Sequence, residues 1–186
     1  MRLQGMLAPT AMAVAAALVV VLGMRVRSLE RENEELFLRV TRPYTGMYVP
    51  AFSAPSAGGG AVSVGSPARG RQVLFVFNST CPYCRASIPA WTRVAAAAEA
   101  AHGPGAAVGV SLDGPDTARA YAARNGLRYP VAAFPDRRMA ALYRTRSVPV
   151  TLVVDSTGRV LLARLGVLKE GAAMDSVRAA AGLMAR

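Results

Sequence analysis

Two cysteines stand three positions apart in the run Asn78-Ser79-Thr80-Cys81-Pro82-Tyr83-Cys84. They are the only two in a chain of 186 residues, so they act as a pair or not at all. The run follows Gln72-Val73-Leu74-Phe75-Val76-Phe77, an apolar stretch suited to a strand buried on both faces. A helical stretch follows, from about Arg85 to Ala101. A cysteine at a helix N-terminus meets the positive end of the dipole and unpaired amide hydrogens. Both favour thiolate, so Cys81 is expected to ionise below the roughly 8.5 of a free thiol. Cys84, one turn inward and more shielded, can attack a disulfide formed on Cys81 and release the product. Pro82 suits the first helical turn, where its missing N–H costs little. The chemistry indicated is thiol–disulfide exchange.

Other uses of the pair fit less well. A closed zinc site needs a second ligand pair, and the single histidine, His102, lies in a Gly/Pro-rich loop. Covalent haem attachment needs histidine directly after the second cysteine, where Arg85 stands. A copper carrier would want wider spacing and a partnering histidine. A peroxidatic cysteine would want Thr or Ser three residues earlier, where Asn78 sits. A structural bridge across two residues would remove almost no chain entropy. No cofactor and no metal are expected.

The elements that must hold this pair alternate along the chain. Ala107 to Ser111 reads as a strand, and Asp116 to Arg124 and Arg137 to Tyr143 read as helices. Thr151 to Val154 and Val160 to Ala163 flank the turn Asp155-Ser156-Thr157-Gly158, a hairpin signal. Glu170 to Ala181 reads as a closing helix. The order is β-α-β-α, a further helix, then β-β-α: an α/β fold with a mixed sheet flanked by helices. The stretch 43–70 is rich in Pro and Gly and reads as linker and edge structure, with Tyr48-Val49 and Ala61 to Val64 able to pair as a small hairpin. Residues 71–186 form the main domain.

Residues 3–24 carry no charge and lie between Arg2 and Arg25. As helix they would extend roughly 33 Å, enough to cross a hydrocarbon core. No small-residue cleavage site closes the run, so an uncleaved transmembrane signal anchor is expected. Residues 25–42 read as a short helical stalk. Val26, Asn33 and Val40 recur every seven residues, as do Leu22, Leu29 and Leu36, the a/d seam of a parallel coil with a polar a position. The stalk either pairs two copies through residues 22–40 or holds the domain off the bilayer.

The chain is 53% hydrophobic and 18% charged, which excludes a disordered, solvating protein. Its net charge is +11. The bases are scattered rather than clustered and no nucleic-acid motif accompanies them, so nucleic acid is not an expected partner. Arg25, Arg27, Arg31, Arg39 and Arg42 follow the span, which by the positive-inside tendency would retain the domain in the cytoplasm. Disulfide exchange with protein substrates calls for the opposite, oxidising side.

The strand VLFVF before CPYC, Pro89 in the following helix, Ser147-Val148-Pro149-Val150-Thr151 before the strand TLVVD, and the segment DSTGRVLLARLG together resemble the thioredoxin superfamily. They are most similar to its membrane-anchored TlpA/ResA-like thiol–disulfide oxidoreductases. The resemblance covers about residues 48–183. It implies a thioredoxin-like fold with an extra helix and strand at about 109–134, and a cis Val148–Pro149 bond lying against the cysteines. It makes Cys81 and Cys84 catalytic and Val148, Pro149, Pro82 and Tyr83 the substrate contacts. It also suggests a reductase, served by an upstream membrane electron donor, on a single-pass protein of the cytoplasmic membrane with its catalytic domain in the periplasm. The chain departs from the pattern at Thr80, where tryptophan is usual, and at Phe75, where thioredoxin carries a buried acid. Trp91 is expected in the core, and Asp113 as a loop cap rather than a proton carrier. Two alternatives remain: a non-catalytic thioredoxin-like interaction module, and a cytoplasm-facing thiol reductant.

Overall fold

The computed structural model describes residues 4–184, leaving aside the side chains of residues 4–11, 38 and 39. The chain divides into two compact units, Met1–Val40 and Thr41–Arg186. The described residues of the first lie in one continuous helix, α1 (Gln4–Thr41), whose last residue opens the second unit. Its stretch Met12–Phe37 is long and apolar enough to cross a membrane. Leu22, Leu29, Leu36, Val26 and Val40 are all exposed on it.

The second unit holds a hairpin, β1 (Phe52–Pro55) with β2 (Ala61–Val64), and then β3 (Arg71–Phe77), α2 (Pro82–His102), β4 (Ala107–Ser111) and α3 (Pro115–Arg124). It continues with β5 (Val131–Ala133), α4 (Arg137–Leu142), β6 (Val150–Asp155), β7 (Val160–Leu165) and α5 (Ala172–Ala180). Five strands form one sheet in the order β5-β4-β3-β6-β7. β3 runs parallel to β4, and β4 to β5, while β6 is antiparallel to β3 and to β7. This is the mixed, helix-flanked sheet that the order of the elements implies, and the thioredoxin-like fold that the resemblance implies.

Side-chain alternation along β3 divides the core in two, because successive residues of a strand point to opposite faces. Val73, Phe75 and Phe77 join Trp91, Val94 and Ala98 of α2, Tyr121 of α3 and Val177 of α5. Leu74 and Val76 join Val108, Val110, Leu152 and Val154 with Val62, Val64 and Tyr143. Apolar side chains cover both faces, which is why the run from 72 to 77 shows no polar alternation.

The edge region differs from the sequence expectation. Ala61–Val64 does form a strand, but its partner is Phe52–Pro55, not Tyr48-Val49. Tyr48 instead bridges to Arg159. Val49 donates its N–H to Gly158 O at 2.9 Å, so this segment is drawn onto the β6–β7 turn. Met47, Val49, Ala54, Val62 and Val64 are buried in the second core cluster. The Pro and Gly residues of 43–70 therefore punctuate a packed layer rather than a free linker. β5 is too short, at three residues, to stand out in the strand pattern. It falls inside the 109–134 insertion, where the resemblance placed a strand.

Candidate active site at the start of helix α2

Phe77 ends β3 in the middle of the sheet, and the chain needs only Asn78, Ser79 and Thr80 to reach α2. This short loop is tied from two sides. Asn78 Oδ1 accepts the Thr80 N–H at 2.9 Å, a local turn closed by the side chain. Asp113, just past β4, accepts from Asn78 Nδ2 at 2.9 Å and from the Ser79 N–H at 2.7 Å. Because β3 and β4 are neighbours in parallel register, Asp113 falls beside the loop that leaves Phe77. It acts as the loop cap expected from its position.

Cys81 is the N-cap of α2, with extended backbone, and its Sγ accepts the Cys84 N–H at 3.3 Å. Sulfur thus takes the place of the side-chain oxygen that usually satisfies a first-turn amide. Pro82 follows in the first turn, where no N–H is needed. The two cysteines differ in access. Cys81 is half-buried and Cys84 fully buried, and both are free thiols. Burial pushes the Cys84 thiol up to about 12, and its hydrogen bond with Cys81 and the charges of Cys81 and Asp113 act in the same direction. Only a backbone hydrogen bond at Asn78 opposes them.

Facing Cys81 is the entry to β6. The Val148–Pro149 bond is cis, and the Cys81 thiol donates to the Val148 carbonyl at 3.8 Å. This joins residues 67 apart in sequence. Of the four expected substrate contacts, Val148 lies against the sulfur and Pro149 follows it. Pro82 and Tyr83 are on the first turn of α2, with the Tyr83 side chain 64% exposed. The helix behind them is anchored through Ser87, which donates to Tyr83 O and accepts the Leu168 N–H, both at 3.1 Å. Trp91 lies in the core as expected, stacked on Phe75 at 5.3 Å, with Nε1 donating to Thr151 Oγ1 at 3.1 Å.

One neighbour of the pair carried no sequence signal. Tyr121, on α3, stacks on Phe77 at 4.8 Å. Its hydroxyl is held above the usual tyrosine range by burial first and then by the nearby Cys84. Nothing in its local pattern separates it from an ordinary core aromatic, because α3 reaches the site only by packing on the sheet. Among the described residues, no group of three or more His, Cys, Asp or Glu side chains is arranged to hold a metal.

The AhpC/TSA family signature matches residues 45–163. A putative thiol:disulfide interchange protein DsbE from Chlorobium tepidum superposes with a TM-score of 0.61 at 24% identity, covering 74% of this chain and 95% of that one. StoA from Bacillus subtilis does so at 0.58 with 15% identity, over 70% of this chain and 96% of that one. The peroxidoxin BcpB from Mycobacterium tuberculosis matches at 0.58 with 20% identity, over 76% and 96%. At these identities the likeness is one of fold. No curated protein matches the sequence.

Proposed function

The chain belongs to the AhpC/TSA family, and from that premise we propose that it is a membrane-tethered thiol–disulfide oxidoreductase that works as a reductase on protein disulfides. The observation that carries this reading is the unequal pair, an accessible Cys81 sulfur beside the Val148 carbonyl and a buried Cys84 one turn away.

In the proposed cycle, the Cys81 thiolate attacks one sulfur of a substrate disulfide. A mixed disulfide forms on Cys81 and the other substrate sulfur leaves as thiolate, taking up a proton. Cys84 then loses its proton and attacks Cys81 Sγ. The Cys81–Cys84 disulfide forms, and the second substrate sulfur leaves as a thiol. The substrate has gained two electrons and two protons, and the enzyme has lost them. A dithiol donor in the membrane returns them. Val148 and Pro149 would hold the substrate backbone next to Cys81, with Pro82 and Tyr83 forming the opposite lip. No cofactor takes part in this cycle.

The helix α1 supplies the tether in this reading: a single span ending at residue 24 and a stalk from residue 25, with the catalytic domain, which takes in the packed layer before residue 71, on the periplasmic side of the cytoplasmic membrane. The exposed seam of Leu22, Leu29, Leu36, Val26 and Val40 would pair with a second copy. In a parallel coil Arg25 falls at g and Glu30 at the e position five residues on, a complementary pair across the seam.

The test is a pair of variants of the full chain. Cys84→Ser is expected to accumulate mixed disulfides with partner proteins, released by dithiothreitol, and Cys81→Ser to accumulate none and to lose insulin reduction. Equal behaviour of both variants and the parent would leave only the non-catalytic module. The cytoplasm-facing alternative draws on the arginines at 25, 27, 31, 39 and 42, and a reporter fused at the C-terminus distinguishes it.

A further inference from the structure

A cavity of about 440 Å³ opens beside the cysteine pair, lined by Ser79, Thr80, Arg85, Tyr121, Arg124 and Asn125. Its position is set by two elements. Ser79 and Thr80 immediately precede Cys81, and Arg85 directly follows Cys84, with its N–H donating to Cys81 O at 3.3 Å. Tyr121, Arg124 and Asn125 come from the end of α3, where Asn125 Nδ2 donates to Tyr121 O at 2.8 Å.

The lining is cationic and rich in donors. Arg85 and Arg124 are exposed, and neither has an ion-pair partner among the described residues, whereas Arg93 pairs with Glu170 and Arg119 with Asp116. No carboxylate lines the cavity. Tyr121, one of the lining residues, is only 1% exposed, and its hydroxyl has no hydrogen-bond partner. A buried hydroxyl without a partner is costly, and an acceptor bound from outside would remove that cost. Burial, the largest cause, raises this hydroxyl above the usual tyrosine range, while Arg85 and Arg124 pull the other way, and at neutral pH it keeps its proton. It is therefore a donor.

We propose that this cavity is a carboxylate subsite, in which Arg85, Arg124 and the Tyr121 hydroxyl receive an Asp or Glu side chain close in sequence to the substrate cysteine. The inference rests on the exchange reaction proposed above and adds the class of substrate to it. Guanidinium groups suit this ligand because their planar fork matches the two carboxylate oxygens. A subsite this close to Cys81 would orient the incoming disulfide as well as attract it.

The experiment uses the full chain in detergent and three matched peptide disulfides with Glu, Gln or Lys two residues from the cysteine. At low salt the Glu peptide is expected to exceed the Gln peptide in kcat/KM by about tenfold, and the Lys peptide to fall below both. In the Arg85→Gln/Arg124→Gln variant the Glu-to-Gln ratio should drop to near one, and Tyr121→Phe, which keeps the ring, should lower it part of the way. Arg137→Gln/Arg138→Gln removes the same charge elsewhere and should preserve the ratio. Equal loss in that control, or no Glu preference in the parent, overturns the subsite, and turnover of the Gln peptide then leaves the exchange reaction standing. No turnover of any peptide overturns both. Preference for a small dicarboxylate disulfide over the Glu peptide would overturn the assignment to a polypeptide substrate.

Discussion

At the residue scale the two sulfurs are made unequal by depth. Cys81 has the Cys84 N–H and the Val148 carbonyl as neighbours, while Cys84 is enclosed by the core. The consequence is a pH dependence in the second half of the proposed cycle. Burial, the largest cause, still raises the Cys84 pKa once Cys81 is tied up in a mixed disulfide. A raised thiol pKa means that little thiolate exists at neutrality. The thiolate fraction then grows about tenfold per pH unit until the pKa is reached. Release of thionitrobenzoate from a Cys81 mixed disulfide should therefore quicken steadily from pH 7 to pH 9. A flat profile would mean that Cys84 is already ionised or is not the attacking group. Asp113 contributes to this inequality, since its charge opposes a Cys84 thiolate while its oxygens hold the loop before Cys81.

At the element scale the site depends on how α2 is seated on the sheet. The contact between Trp91 Nε1 and Thr151 Oγ1 ties the helix to β6, two residues beyond Pro149. Thr151→Val keeps the shape but leaves the buried indole N–H without an acceptor. A loss of about 1–3 kcal/mol in unfolding free energy is expected. The single tryptophan reports it directly, and unchanged stability would show that the bond contributes nothing net. The insertion is seated by a different device. A Cβ on Gly109 would lie 3.1 Å from Val131 Cγ2, 3.2 Å from Tyr129 Cε2 and 3.3 Å from Phe77 Cε1. Three enclosed side chains would have to give, so Gly109→Ala should destabilise by about 1–3 kcal/mol in denaturant unfolding. An unaffected midpoint would mean that β5 and its flanking aromatics are loosely held. These packing relations explain the misjudged edge region. Tyr48-Val49 and Ala61 to Val64 have similar local character, and the choice of partner was made by the β6–β7 turn, which engages Val49 through Gly158.

At the scale of the whole molecule, the arginines that follow the span and the proposed exchange with protein disulfides pull in opposite directions, the first toward the cytoplasm and the second toward the oxidising side. A C-terminal reporter that works only after export is expected to be active on this chain. Activity of a cytoplasm-only reporter would reverse the proposed topology. The sequence by itself determined whatever arises within a few residues: the strand over 72–77, the helix from about Arg85, the hairpin at Asp155, and a cysteine pair that brings its second sulfur back after one turn. Backbone periodicity and capping act over that range, so local residues suffice to specify them. Val148 and Pro149 were reached only through a resemblance, because nothing in their own neighbourhood points to Cys81. Tertiary structure alone decided the rest. Pairing of β3 with β4 and β6 set Asp113 under the loop and Val148 against the sulfur, and the docking of α3 brought Tyr121 and Arg124 beside Arg85. Those neighbours come from the register of strands far apart in the chain, and register depends on how two whole faces bury their apolar side chains together.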